Sequence, residues 1–397
     1  MPQPFSPGSH AFRSLLCLLV AVFSLCFLRV TSLPAETVVV DSLSALDISV
    51  MQNEIESQGL GFKVAPNWIT RLPAAERQKL LSRHPSAYPA RRARAFAEGP
   101  LPENSSTPLP SSFDWRRVDG HSYIGPVRNQ GSCGACYAFA ACAALEGALN
   151  FAANRFDDRC LDLSEACLAF CLDRYYDGFS GCEGSSYDYE ELDALTDLGT
   201  CREEFYPYDG IDRDCPVGSG TFPRFRCSAW YRIPCGDISA IKNAIMHYGV
   251  VVAAVWVGSQ FYAYDSGIYR DDNNDCSANP CYNAPTNHCI ALVGWDDNGG
   301  DGYWILRNSW GRGWGENGYM RIAYDAAHVS CAACYLVVSG ISGCKWNDYN
   351  LNGIKDPGEP GLSHWKIFLD LNRNGTVDPD EPVSVTDANG DYIFTGL

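Results

Sequence analysis

The stretch Gln130-Gly131-Ser132-Cys133-Gly134-Ala135-Cys136-Tyr137, running on into Ala138-Phe139-Ala140-Ala141, decides how the rest of the chain is read. Turn-forming Gly and Ser give way at Cys136 to an apolar run through Leu145 and Leu149, so Cys136 opens a helix. A thiol in that position faces unpaired backbone N–H groups and the positive end of the helix dipole, which lowers its pKa and raises its thiolate fraction. A Cys in an apolar helix also serves as core or as half of a disulfide. The nucleophile reading therefore requires a base elsewhere.

Seven His are available. His288 opens the run His288-Cys289-Ile290-Ala291-Leu292-Val293-Gly294-Trp295, a strand pattern closed by the turn-forming Asp296-Asp297-Asn298-Gly299. A second strand, Tyr303 to Arg307, leads into Asn308-Ser309-Trp310-Gly311. Two neighbouring strands place His288 and Asn308 side by side. An amide oxygen accepting the imidazole N–H would hold one tautomer and leave the other ring nitrogen free for the sulfur.

These residues resemble the papain-like cysteine peptidases over roughly residues 36 to 340. Cys133 to Tyr137 meet the pattern C-G-[SA]-C-[WY], with His and Asn downstream, the Asn slightly beyond the usual ~130–150 residues. The resemblance implies an α+β, two-lobed fold, with a helical lobe and a β-barrel lobe. It implies Cys136 as nucleophile, His288 as base and acid, Asn308 as the group orienting His288, and Gln130 as an oxyanion donor beside the Cys136 N–H. Trp310 would shield the Asn308–His288 contact. The chemistry so implied is peptide hydrolysis through a thioester acyl-enzyme, with no catalytic cofactor and a protein or peptide as substrate. Disulfides Cys133–Cys182, Cys171–Cys215 and Cys281–Cys331 follow from the same resemblance, the last with Cys334 as competitor. Gly184 and Ser185 stand where the family usually has two glycines, and Cys289 follows His288 where a small Ala is common.

Composition agrees with a folded, exported chain. Hydrophobic residues at 46% against 19% charged exclude a disordered protein, and a net charge of −17 argues against nucleic acid. Nineteen Cys point to an oxidising compartment. Arg13 precedes an apolar stretch, Leu15 to Leu28, too short to span a membrane and suited to a signal peptide over residues 1–35, so a secreted or cell-surface location is expected without further membrane contact. Residues 36–110 read as a pro-segment and linker. Leu43, Leu46, Val50 and Ile55 recur at helical spacing, Gly61 to Thr70 resembles the segment this family lays through its own cleft, and a Pro- and Arg-rich stretch carries Arg91, Arg92 and Arg94. Residues 111–342 are the expected catalytic domain.

Residues 343–397 change texture. Two 12-residue segments match the calcium-loop template D-x-[DN]-x-[DN]-G-x5-E. The first offers Asp348, Asn350, Asn352, Ile354 (through its carbonyl), Asp356 and Glu359; the second offers Asp370, Asn372, Asn374, Thr376 (carbonyl), Asp378 and Glu381. Their flanks read as strands, and the segment resembles the SdrD B-like β repeats of surface proteins, here incomplete. Structural Ca2+ and a cell-surface or matrix contact are expected of it. Two rival readings are a surface-binding protein with a non-catalytic peptidase-like domain and a Cys-His acyl transferase.

Overall fold

The computed structural model describes residues 46–81, 108–186, 189–216, 224–272, 276, 285–298, 300, 302–350, 355–370, 375–378 and 381–395. The chain divides into two units, Met1–Asp41 and Ser42–Leu397. The first, with the expected signal peptide, lies outside the described residues, as do Leu43, Arg91, Arg92 and Arg94. No helix among the described residues is long and apolar enough to cross a membrane.

Helix α1 (Ile48–Ser57) starts where Asp47 accepts hydrogen bonds from Ser49 N and Val50 N at 3.0 and 3.1 Å. Its buried face is Met51 and Ile55, one turn apart, while Val50 is half exposed. The helical spacing thus holds, but Met51 takes the place assigned to Val50. Strand β1 (Lys63–Val64), helix α2 (Ala74–Gln78) and strand β2 (Ser112–Asp114) follow. Helix α3 (Cys136–Ala152) is buried at every residue up to Asn150. A helix with no polar face belongs inside a domain, and α3 is the spine of this one.

Around it lie α4 (Glu165–Cys171), the β3 (Phe179–Ser180) and β4 (Gly184–Ser185) hairpin, and α5 (Glu190–Asp197). The second half contributes β5 (Ala229–Arg232), α6 (Ile238–Tyr248), β6 (Val251–Val255), α7 (Ser259–Tyr262), β7 (Tyr264–Ser266), β8 (Ile268–Tyr269), β9 (His288–Asp296), β10 (Tyr303–Arg307), β11 (Tyr319–Ala323) and β12 (Ala333–Val337). These strands form a sheet in the order β5-β12-β6-β9-β10-β11-β8, with β2 also pairing β9. Strand β9 is buried at every residue except Asp296. A strand covered on both faces reads as a continuous apolar run, and such is the sequence after His288.

The expected β-barrel is corrected here. Among the described residues the sheet is open, with β5 and β8 as unjoined ends. The chain beside each end is engaged elsewhere: β7, just before β8, pairs with β1, and Trp230 of β5 donates to Asp193 of α5. The strand next to β8 thus pairs with β1 in a separate sheet and β5 leans on α5, and neither joins the two ends of this one.

After β12 come β13 (Gly340–Cys344), β14 (Lys366–Phe368), β15 (Val383–Val385) and β16 (Asp391–Thr395), paired β13 with β16 and β14 with β15, all antiparallel. Disulfides join Cys133 to Cys182 and Cys171 to Cys215. Cys331 pairs with Cys276, not with Cys281, at a Cα separation of 5.1 Å. Cys276 and Cys281 stand five positions apart, so spacing alone did not separate them, and Cys281 itself lies outside the described residues. Cys334 is buried, and Cys235 is disulfide-bonded.

Candidate active site

Cys136 is the first residue of α3 and fully buried, and Ala135 at the N-cap provides no side-chain acceptor. The first-turn N–H groups are therefore not quenched by a cap, so the sulfur sits in the positive field of the helix end. The main-chain N–H of Cys289, on β9, points at Cys136 Sγ from 3.1 Å. The helical spine and the central strand thus meet at this sulfur.

His288 opens β9, and Asn308 follows directly on β10, which pairs antiparallel with β9. That register lets His288 Nε2 donate to Asn308 Oδ1 at 2.8 Å, and Asn308 Oδ1 also accepts from Ser309 N at 2.8 Å. With Nε2 carrying the proton, Nδ1 is the basic nitrogen. Among the described residues Nδ1 has no hydrogen-bond partner of normal geometry, and the main chain of Leu80 lies against the ring. Trp310 packs on the imidazole with ring centroids 4.7 Å apart and is itself enclosed by Tyr262, Phe261 and Trp314. Water is thus kept from the Asn308–His288 bond, which strengthens it. Burial pushes the His288 pKa down to about 4, against the opposing pull of Asn308. In this state the ring is neutral.

Gln130 is buried and fully engaged. Its Oε1 accepts from Ser309 Oγ at 2.5 Å, which fixes the amide orientation, and Nε2 donates to Cys133 O at 2.8 Å and to Leu80 O at 3.0 Å. The donor expected to serve an oxyanion therefore already holds a carbonyl of the chain's own leading segment. Tyr208 OH donates to Gln130 O at 2.9 Å, and Cys133–Cys182 ties this loop to the β3–β4 hairpin.

The leading segment reaches the site in two steps. Strand β1 pairs with β7, Asn67 Nδ2 donates to Tyr262 O at 2.8 Å, and Trp68 Nε1 donates to Trp310 O at 3.0 Å. Past α2, Leu80 is completely buried between Gln130 and His288. Gly61 to Thr70 thus lies beside the aromatic cage, and Leu80 is the residue at Gln130 and His288. Sequence reasoning missed Leu80, Ser309 and Tyr208. Ser309 carried a signal, since it sits between Asn308 and Trp310; Lys79-Leu80-Leu81 carried none.

The second set of predicted residues is only partly visible. Asn352, Ile354, Asn372 and Asn374 lie outside the described residues. In the first loop Glu359, mostly buried, accepts from Tyr349 N at 2.8 Å and Asp356 N at 3.0 Å, and Asn350 Nδ2 donates to Asp356. In the second, Glu381 accepts from Asp378 N at 3.1 Å and Asp370 from Gly375 N at 2.8 Å; Thr376 is described beside it. Asp348 stands at the entry to the first loop. Among the described residues no three His, Cys, Asp or Glu are gathered as a metal site.

A helix-borne thiol, an amide-oriented imidazole and a fixed amide donor are the groups that a cysteine-nucleophile hydrolase needs. Comparison with known proteins gives the family. Residues 109–339, more than half of the chain, match the model for papain family cysteine proteases, and the chain belongs to that family, whose activity is that of a cysteine-type endopeptidase. Pro-cathepsin H of Mus musculus is 32% identical over 278 residues, covering 69% of this chain and 76% of that protein. Cathepsin K of Mus musculus is 32% identical over 216 residues, covering 54% of this chain and 60% of its own length. The digestive procathepsin L 3 structure from Tenebrio molitor larval midgut superposes with a TM-score of 0.59 at 27% identity, covering 72% of this chain and 87% of that one.

Proposed function

We propose that the chain is a secreted cysteine endopeptidase made as a latent precursor, with a calcium-holding C-terminal module. The observation carrying the reading is Leu80 O on Gln130 Nε2, because a carbonyl of the leading segment occupies the donor that an attacked peptide carbonyl needs. With that segment removed, Cys136 would attack the substrate carbonyl and His288 Nδ1 would take the thiol proton. The same ring would return it to the leaving amine, and water deprotonated by His288 would hydrolyse the thioester. Gln130 Nε2 and the Cys136 N–H would hold the oxyanion, a contribution of about 3–4 kcal/mol per donor in comparable sites. The all-oxygen donor set of Asp348, Asn350, Asn352, Ile354, Asp356 and Glu359, and its second copy, suits a hard cation. Glu359 and Glu381, each only 8% exposed, stand at equivalent positions of the two loops, each accepting the main-chain N–H three residues earlier, so the two loops share one local geometry. The bound ion would supply structure, not a catalytic step.

One experiment tests the whole reading: peptide hydrolysis by the full-length chain, by the chain cleaved between residues 81 and 110, and by the cleaved Cys136→Ala variant, each with and without a calcium chelator. Cleavage is expected to raise the rate by orders of magnitude. The Cys136→Ala variant should fall by about 10^4-fold or more. The chelator should lower the melting temperature of the C-terminal region. Equal activity before and after cleavage removes latency, a near-parent rate in Cys136→Ala removes the nucleophile, and an unchanged melting curve removes calcium.

A further inference from the structure

Two buried thiols outside the catalytic centre, Cys167 and Cys201, are carried on one small frame. Cys167 lies in the first turn of α4, where its N–H donates to Ser164 Oγ at 2.8 Å. Ser164 N in turn donates to Cys201 O at 2.9 Å, Thr200 Oγ1 donates to Ser164 O at 2.8 Å, and Leu163 faces Arg202 in an antiparallel bridge. These bonds hold the two backbones in register. The thiol and the main-chain N–H of Cys201 both meet Cys167 Sγ, and Arg224 Nη1, anchored on Gly199 O at 2.9 Å, reaches the same sulfur at 3.5 Å. The hydrogen bond from Cys201 draws the Cys167 pKa down against the effect of burial, and the same bond drives that of Cys201 up. The two sulfurs are thus neighbours within one hydrogen-bonded frame, the placement a disulfide between them requires.

We propose that Cys167 and Cys201 form a further disulfide, which ties α4 to the Thr200–Arg202 segment. The Cys167 thiolate attacks one sulfur of an oxidising disulfide, of low molecular weight or carried by a protein, and expels the other as a thiolate. Cys201 then loses its proton and attacks the Cys167 sulfur of the mixed disulfide, releasing the second thiolate. The two cysteines give up two electrons and two protons, and the oxidant leaves as two thiols. Cys167 and Cys201 are 1% and 0% exposed, so the exchange takes place during folding, before this region closes. The bridge reinforces the support of the active site. Ser164 Oγ bonds Tyr206 O at 2.5 Å, and Tyr208 packs edge-on against Phe139 of α3 while bonding Gln130 O.

The test is a disulfide map of the full-length Cys136→Ala variant, produced in an oxidising host, alkylated with iodoacetamide under denaturing, non-reducing conditions, and digested. A linked pair of peptides containing Cys167 and Cys201, which separates on reduction, is expected. Recovery of both residues as alkylated thiols overturns the proposal, as does either one linked to another cysteine, with buried Cys142 the neighbouring rival for Cys167. A Cys167→Ser/Cys201→Ser double variant should melt several degrees below its parent under non-reducing conditions. An equal melting temperature overturns the reinforcing role, and if the double variant does not fold, the map of its parent still decides.

Discussion

Two segments dock on the catalytic body by different physics. The leading one, α1 through Leu81, is held by strand pairing with β7, by hydrogen bonds from Asn67 and Trp68 to main-chain carbonyls, and by buried Phe62, Ile69 and Leu80. The trailing one, β13 through β16, adds buried charge to the apolar contact of Ile393. Arg155, 2% exposed, pairs with Asp387 and lies 3.7 Å from Asp391; Arg159 bonds Asp391 at 2.7 Å; Arg202 lies 3.8 Å from Asp387. The difference teaches which attachment suits removal. Apolar and main-chain contacts leave no buried charge behind when their partner departs, whereas a buried guanidinium stripped of its carboxylates is costly. Arg155 follows α3 at the end remote from Cys136, some 25 Å along the helix at about 1.5 Å per residue. The leading segment therefore reaches Gln130 and His288, whereas the ion cluster of the trailing one sits at the far end of α3.

The sharpest way to break this contrast is Asp387→Asn/Asp391→Asn, which keeps side-chain acceptors for the turn but leaves Arg155 without a countercharge. A loss of about 3–5 kcal/mol in urea unfolding is expected, and a change below 1 kcal/mol would show that the trailing segment is not locked by charge.

The leading segment should answer to pH instead. His288 has a pKa of about 4 while Leu80 covers it, below the ordinary value of 6.5. Between those two values the uncovered or unfolded state binds more protons, so the covered state is at full strength above about pH 6.5 and weakens as the pH falls toward 4. The loss is on the order of 2–3 kcal/mol. It is read as a falling urea midpoint of the full-length Cys136→Ala variant between pH 7 and pH 4.5, set against a His288→Gln partner that should lack most of the slope. Parallel slopes in the two would exclude His288 as the cause.

The smallest effect separates the buried member of the ion cluster from its rim. Arg159 has a side chain 37% exposed, so Arg159→Ala should cost no more than about 1 kcal/mol in the same denaturation. A loss equal to that of the double Asp variant would make the cluster a single unit.

The candidate catalytic groups were legible because each carries a local signature: a glycine-rich turn into an apolar helix at Cys136, an apolar run bounded by Asp and Gly at His288, and a strand leading into Asn308-Ser309-Trp310. The strand flanks of the C-terminal loops were legible by the same patterning. What was not legible depends on partners far away in the chain. Nothing near Leu80 announces that its carbonyl meets Gln130, and nothing near Cys276 distinguishes it from Cys281. Arg155, Arg159 and Arg202 look like ordinary surface cations until Asp387 and Asp391 arrive beside them.

The amino-acid order alone therefore singled out the candidate side chains for the chemistry, because a nucleophile, a base and an orienting amide are marked by residue type and by short-range backbone preference. Tertiary structure alone decided which state those groups are in: the open sheet, the Cys276–Cys331 bridge, the neutral His288 and the paired Arg155. Burial and long-range contact set ionisation and pairing through desolvation and distance, and neither quantity exists until the chain has closed on itself.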